Sequence, residues 1–164
     1  MQESAFDRVA REAVADLLPS AQARAVDLGF ERIESVAVRA DPTALAVVIR
    51  NVVDNALRHT PEGGRVDVHM YAEGTNAVLR VEDTGPGISE PDLARVFEPF
   101  YRGRHNEGGG TGLGLSIVGR IVQSLSGSVL LENIRAPNGS GLRVAITIPL
   151  AQPRGNNQRC RRNR

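Results

Sequence analysis

Apolar residues recur at helical spacing from Phe6 to Leu28, at Val9, Ala13, Leu17 and Val26. This predicts a helix bent or interrupted at Pro19 and ended by Gly29. A second stripe, Leu45, Val48, Ile49, Val52, Val53, Ala56 and Leu57, fills one face of a helix. Asp41-Pro42 supplies its start, an N-cap aspartate with proline in the first turn, and Pro61-Glu62-Gly63-Gly64 its stop after His59. Arg32 to Arg39 reads as one or two short strands, and Arg65–Tyr71 and Ala77–Glu82 alternate like paired strands around a Glu73–Asn76 turn. A short helical piece is expected near Pro91–Phe97. The glycine-rich stretch Gly108–Val118 leads into a further helix with the apolar series Leu113, Ile117, Val118, Ile121, Val122 and Leu125, capped at Gly127. Two last strands, Ser128–Asn133 and Leu142–Ile148, meet through Pro137-Asn138-Gly139. The order predicts an α/β fold, a two-layer sandwich whose mixed, mostly antiparallel sheet packs on about three helices, and not a βαβ repeat.

Composition narrows the class. The 164 residues are 41% hydrophobic, enough for one folded domain, and the formal net charge of +1 gives no field for nucleic acid. The expected domain is 1–150. Residues 151–164 form a basic polar tail with Arg154, Arg159, Arg161, Arg162 and Arg164, read as a disordered end rather than a binding arm. The single cysteine, Cys160, lies in that tail, so no disulfide or cysteine metal site forms within the chain. No apolar run approaches the ~18 residues of a membrane span, and no signal peptide is visible, which reads as a soluble piece from a reducing compartment without direct membrane insertion.

Three segments carry candidate chemistry. On the second helix Asn51, Asn55 and Arg58 fall within roughly 60° of one another, with Asn55 at the edge of the apolar face. Asparagine is a mediocre helix former. Such amides are either solvated or bonded to neighbouring backbone, or their carbonyl oxygens bind a hard cation beside phosphates that Arg58 helps neutralise. Asp83-Thr84-Gly85-Pro86-Gly87-Ile88 places a carboxylate at the mouth of a strand among glycines that permit close approach. It is either an Asx turn or an acceptor for an exocyclic amine such as adenine presents. The glycines of Gly108–Val118 that run straight into a helix expose N–H groups at its positive end, which suits a phosphate chain. No strand leads into them and no Gly-Lys-Ser/Thr follows, against Rossmann and Walker readings. Of Phe97 and Phe100, Phe97 reads as a core anchor. The polar stretch up to Gly110 reads as a lid from which Arg102 and Arg104 either reach phosphates or stay solvated.

In order and spacing, Asn51-Val-Val-Asp-Asn55-Ala-Leu-Arg58-His59-Thr60, Asp83-Thr-Gly-Pro-Gly87, Phe97-Glu-Pro-Phe100 and Gly110-Thr-Gly-Leu-Gly-Leu115 resemble the N box, first glycine box, F box and second glycine box of sensor histidine kinases. The resemblance covers roughly Phe6 to Leu150 and implies the Bergerat ATP-binding fold shared with gyrase-type ATPases and Hsp90-type chaperones. It implies that Asp83 reads the adenine amine, with Gly85, Gly87 and Ile88 around it. Asn55 would hold Mg²⁺, with Asn51 and Arg58 nearby. Gly110, Thr111, Gly112, Leu113, Gly114 and Leu115 would cap the phosphates, and Tyr101–Gly109 would form the ATP lid.

Two departures refine the expectation. Relatives that hydrolyse ATP resemble this helix but carry a glutamate, the general base for water, where this chain has Asn51. The acceptor motif of a histidine kinase, a His followed by an acidic residue and shortly by Pro, fits none of His59, His69 and His105. The resemblance therefore implies the catalytic end of a longer kinase. It would bind ATP and Mg²⁺, pass the γ-phosphoryl to a histidine on a separate dimerisation domain, and feed a response regulator. Its place would be cytoplasmic, with the parent anchored in the cell membrane. A gyrase- or Hsp90-like ATPase and a non-catalytic nucleotide-binding module are the alternatives; an anti-sigma-type serine kinase shares the fold, but the F box and the GTGLGL string favour the histidine kinase.

Overall fold

The computed structural model describes residues 2–95, 114–136 and 139–152. Its elements run β1 (Glu3–Ala5), α1 (Phe6–Ala23), β2 (Asp27–Ile33), β3 (Ala37–Arg39), α2 (Pro42–His59), β4 (Arg65–Glu73), β5 (Asn76–Asp83), α3 (Glu90–Leu93), α4 (Gly114–Ser124), β6 (Ser128–Ala136) and β7 (Gly139–Pro149). Five strands form the main sheet in the order β2-β4-β5-β7-β6, and β1 pairs with β3 in a small antiparallel sheet beside it. The β2–β4 pair is parallel and the other pairs are antiparallel. The expected two-layer α/β sandwich is what forms.

The second helix follows its sequence closely. Asp41 accepts a hydrogen bond from the Thr43 amide at 2.8 Å, Pro42 opens the helix, and all seven apolar-stripe residues are buried. On the sheet, Val66, Val68 and Met70 of β4 share the buried face with Ala77, Leu79 and Val81 of β5 and with Leu142, Val144, Ile146 and Ile148 of β7. Helices α1, α2 and α4 cover that face, with α2 packed between the other two. The opposite face is polar: Glu82 pairs with Arg80 and Arg143, and Arg32 and Arg80 lie over the Tyr71 ring.

Three boundaries differ from expectation. Helix α1 ends at Ala23, and Leu28 and Gly29 belong to β2. The reversal is made by Ala25 at φ +52°, with the Val26 amide donating to the Ala21 carbonyl, so the turn comes before Gly29 is reached. Pro19 sits inside α1 without interrupting it. At the end of α4 the left-handed residue is Ser126 (φ +59°) and not Gly127. Gly127 instead lies against the Thr147 carbonyl, where a Cβ has no room. The short helix expected at Pro91–Phe97 forms one residue earlier, as α3 over Glu90–Leu93, and the chain leaves it in a turn at Ala94 and Arg95. Phe97 and Phe100 lie outside the described residues, as do the 101–109 lid and most of the tail.

Candidate functional site

The site is built along α2. Asn51, Asn55 and His59 stand at successive i, i+4 steps on it, about 12 Å from first to last at 1.5 Å per residue. At the Asn51 end, α4 begins: a Cβ on Gly114 would lie 3.0 Å from Asn51 Oδ1. At the other end the Asp83–Ile88 loop meets the last turn, since a Cβ on Gly85 would stand 2.5 Å from the His59 carbonyl oxygen. Gly85 of the first glycine-bearing segment and Gly114, the first described residue of the second, thus lie against opposite ends of the Asn51–His59 row of one helix.

Each asparagine has its own environment. Asn51 donates through Nδ2 to the Val47 carbonyl at 2.7 Å, which leaves Oδ1 turned toward the start of α4. Asn55 is half-buried, as its place at the edge of the stripe predicts, and among the described residues its side chain makes no hydrogen bond. Arg58 pairs through Nε with Asp54 Oδ2 at 2.9 Å, one turn back on the same helix. Burial and the neighbouring Arg58 hold the His59 imidazole below its ordinary pKa, so it is neutral at physiological pH.

Asp83 is the last residue of β5 and continues the inward row of Ala77, Leu79 and Val81, with 5% of its surface exposed. A carboxylate there faces the helix layer because the strand period of two puts it there. Burial pushes its pKa up, and hydrogen bonds from the Gly85 amide (2.9 Å) and the Leu142 amide (3.3 Å) partly offset that. Both bonds fall on Oδ1, so neither engages Oδ2. The Asx-type contact to Gly85 and an acceptor role toward a ligand therefore coexist in one side chain.

The loop after Asp83 is held by residues that the sequence pattern did not single out. Asn133 of β6 accepts from the Ile88 amide at 2.8 Å and donates to the Ile88 carbonyl at 2.6 Å. Ser140 of β7 donates to the Gly85 carbonyl at 3.0 Å. Gly87 adopts φ +77°, and a Cβ there would lie 2.5 Å from Asn133 Oδ1, so both conformation and space require glycine. An asparagine on an exposed strand has no periodicity to betray it; only the register that places β6 beside this loop does.

Gly114 and Leu115 are the first described residues of α4 and are half-buried. Arg102, Arg104, Gly110, Thr111, Gly112 and Leu113 lie outside the described residues. Among the described residues no group of three His, Cys, Asp or Glu side chains can hold a metal ion, and no helix is long and apolar enough to cross a membrane.

Comparison with known proteins identifies the family and the fold. The profile of the histidine kinase-, DNA gyrase B- and HSP90-like ATPases matches residues 40–152. The sensor protein kinase PmrB of Pseudomonas aeruginosa is 36% identical over 146 residues, 88% of this chain and 30% of PmrB. The chain thus spans under a third of the length of that curated relative. The mycobacterial sensor histidine kinase MprB superposes with a TM-score of 0.82 at 28% identity, covering 93% of this chain and 99% of that structure. The histidine kinase ThkA in complex with the response regulator protein TrrA superposes with a TM-score of 0.74 at 27% identity, covering 90% of this chain and 41% of ThkA. The chain belongs to the histidine kinase-, DNA gyrase B- and HSP90-like ATPase family, as a homologue of the ATPase domains of sensor histidine kinases.

Proposed function

We propose that this chain binds ATP with Mg²⁺ along α2 and donates the γ-phosphoryl group to a histidine on a separate dimerisation domain. A response-regulator aspartate then takes the phosphoryl group. The observation that carries the reading is Asp83: a buried carboxylate in a core-facing row, with one oxygen held by backbone amides and the other left for a donor. Burying a charge this way is costly unless a partner uses it, and the exocyclic amine of adenine is such a partner.

The remaining roles are those the resemblance of the sequence boxes implies. Asn55 offers a half-buried amide without a side-chain hydrogen bond among the described residues, which suits one ligand position of a cation otherwise held by phosphate oxygens and water. Asn55 would hold Mg²⁺ there, and the bound ion would supply neutralisation of the triphosphate charge. Asn51 Oδ1 and Arg58 would flank the phosphates, and the second glycine box, Gly110–Leu115, would cap them, with Arg102 and Arg104 as further phosphate contacts implied by the resemblance.

In the transfer, the bond between the γ-phosphorus and the β,γ-bridging oxygen breaks and an imidazole nitrogen of the acceptor forms the new bond. ADP leaves, and the imidazole proton passes to solvent. This chain's part is positioning and charge neutralisation. Asn51 has no proton-accepting group where a water-activating glutamate would stand, which disfavours the gyrase-like ATPase reading. The likeness to the sensor protein kinase PmrB and to ThkA in complex with a response regulator protein supports a place in a sensor kinase that works with a response regulator; a cytoplasmic position, with the parent anchored in the cell membrane, is part of the same proposal.

The test supplies the helical histidine domain in trans with γ-labelled ATP and Mg²⁺. Label is expected on that domain in an acid-labile bond, and none on a variant whose histidine is replaced. Label that stays off the helical domain while phosphate is released steadily would overturn the reading.

A further inference from the structure

We infer that Asn133, together with Ser140, is a positioning residue for the adenine end of the site: the β6–β7 hairpin sets where the Asp83–Ile88 loop stands. This rests on the nucleotide reading proposed above and adds to it a residue outside all four sequence boxes.

The connection can be followed bond by bond. Asn133 exchanges two hydrogen bonds with Ile88, at 2.8 and 2.6 Å, fixing both the amide and the carbonyl of that residue. Ser140 holds the Gly85 carbonyl at 3.0 Å, and the Gly85 amide in turn donates to Asp83 Oδ1 at 2.9 Å. Leu142, two residues along β7, donates to the same oxygen. The loop is therefore hung from one hairpin at both its ends, with Gly87 bent between them at φ +77° against Asn133 Oδ1. Backbone that carries the carboxylate's hydrogen-bond donor moves with these anchors. At the far end of α2, Asn51 and Gly114 share none of these bonds, so the phosphate side is independent of them.

Asn133 is exposed, so its truncation opens no cavity in the core. This separates positioning from folding. Affinities of the wild-type chain, Asn133→Ala, Ser140→Ala and Asp83→Asn are measured for adenosine, for MgATP and for inorganic tripolyphosphate as competitors of a fluorescent ATP analogue. Asn133→Ala is expected to weaken adenosine and MgATP by the same factor, about tenfold, and Ser140→Ala by about threefold, since two bonds or one are lost. Tripolyphosphate competition is expected to be unchanged, which a general loosening of the fold would not allow.

Adenosine affinity unchanged in both hairpin variants, with Asp83→Asn abolishing it, would overturn the positioning role and leave the nucleotide reading standing. Equal weakening of adenosine and tripolyphosphate would also overturn it. Adenosine binding absent in the wild type, or untouched by Asp83→Asn, would remove the nucleotide reading and this inference with it.

Discussion

Gly85 rests against the last turn of α2, so close to His59 that a Cβ on it would stand 2.5 Å from that residue's carbonyl oxygen. The neighbour is helix backbone, which cannot step aside as a flexible side chain does. Gly85→Ala is therefore expected to push the Asp83 loop off the helix, costing about 1–3 kcal/mol of stability. ATP affinity is expected to fall at least about tenfold. Thermal unfolding and titration calorimetry on the same preparation check both. An alanine variant with wild-type affinity would mean that the loop does not need this contact.

Asp83 carries opposing consequences for stability and for binding. Its carboxyl pKa is raised in the fold by burial, so the folded state favours the neutral form more than the unfolded chain does. Its contribution to stability is fully present below the unfolded pKa and is lost as pH rises through the raised folded value. At neutral pH the charge is a cost, and Asp83→Asn is expected to unfold at the same or a higher temperature than wild type. The same variant is expected to lose ATP binding, because an amide in this place presents no anionic acceptor. Wild-type affinity is itself expected to decline on acidification, starting above the ordinary aspartate range, toward the level of the variant. Calorimetry at a series of pH values measures this difference, and a variant that retains wild-type ATP affinity contradicts it.

The parts of the fold that could be read from sequence were those with a local cause. Helix α2 announces its cap, its first-turn proline and its buried stripe, and each appears where expected. Helix α1 overran its true end because the apolar spacing continues through Val26 and Leu28, while the stop is Ala25 in a left-handed turn where a glycine was sought. The parallel pairing of β2 with β4 and the short β1–β3 sheet join residues far apart in sequence, which periodicity does not encode. The same holds at the site. Asp83 and Asn55 are visible as polar residues out of keeping with their elements, whereas Asn133 and Ser140 matter only through the tertiary register that brings them to the loop.

Asn55 gives a metal-dependent expectation. Its side chain is half-buried and, among the described residues, takes no part in a hydrogen bond, so Asn55→Ala removes little from the fold itself. ATP affinity in the presence of Mg²⁺ is expected to fall by about tenfold or more, with a much smaller change in excess chelator. Equal weakening with and without the metal would assign Asn55 a structural part only.

Arg58 separates charge neutralisation from stability in the same way. Its pair with Asp54 is one helical turn long, with about a third of each side chain exposed. Pairs of this kind contribute less than about 1 kcal/mol. Arg58→Ala is expected to leave the unfolding temperature within a few degrees of wild type while weakening MgATP more than adenosine. A loss of equal size for both ligands would show that Arg58 acts on the loop and not on the phosphates. Competition assays with the two ligands decide between them.

On the proposed function the site holds ATP for a nucleophile other than water. Incubating the chain alone with Mg²⁺ and γ-labelled ATP, and measuring retained label beside released phosphate, tests it most directly. Near-stoichiometric non-covalent retention with almost no phosphate release is the expected result, because Asn51 stands where a water-activating carboxylate would be needed. Steady release of phosphate by the chain alone would contradict the account and make this domain an ATPase.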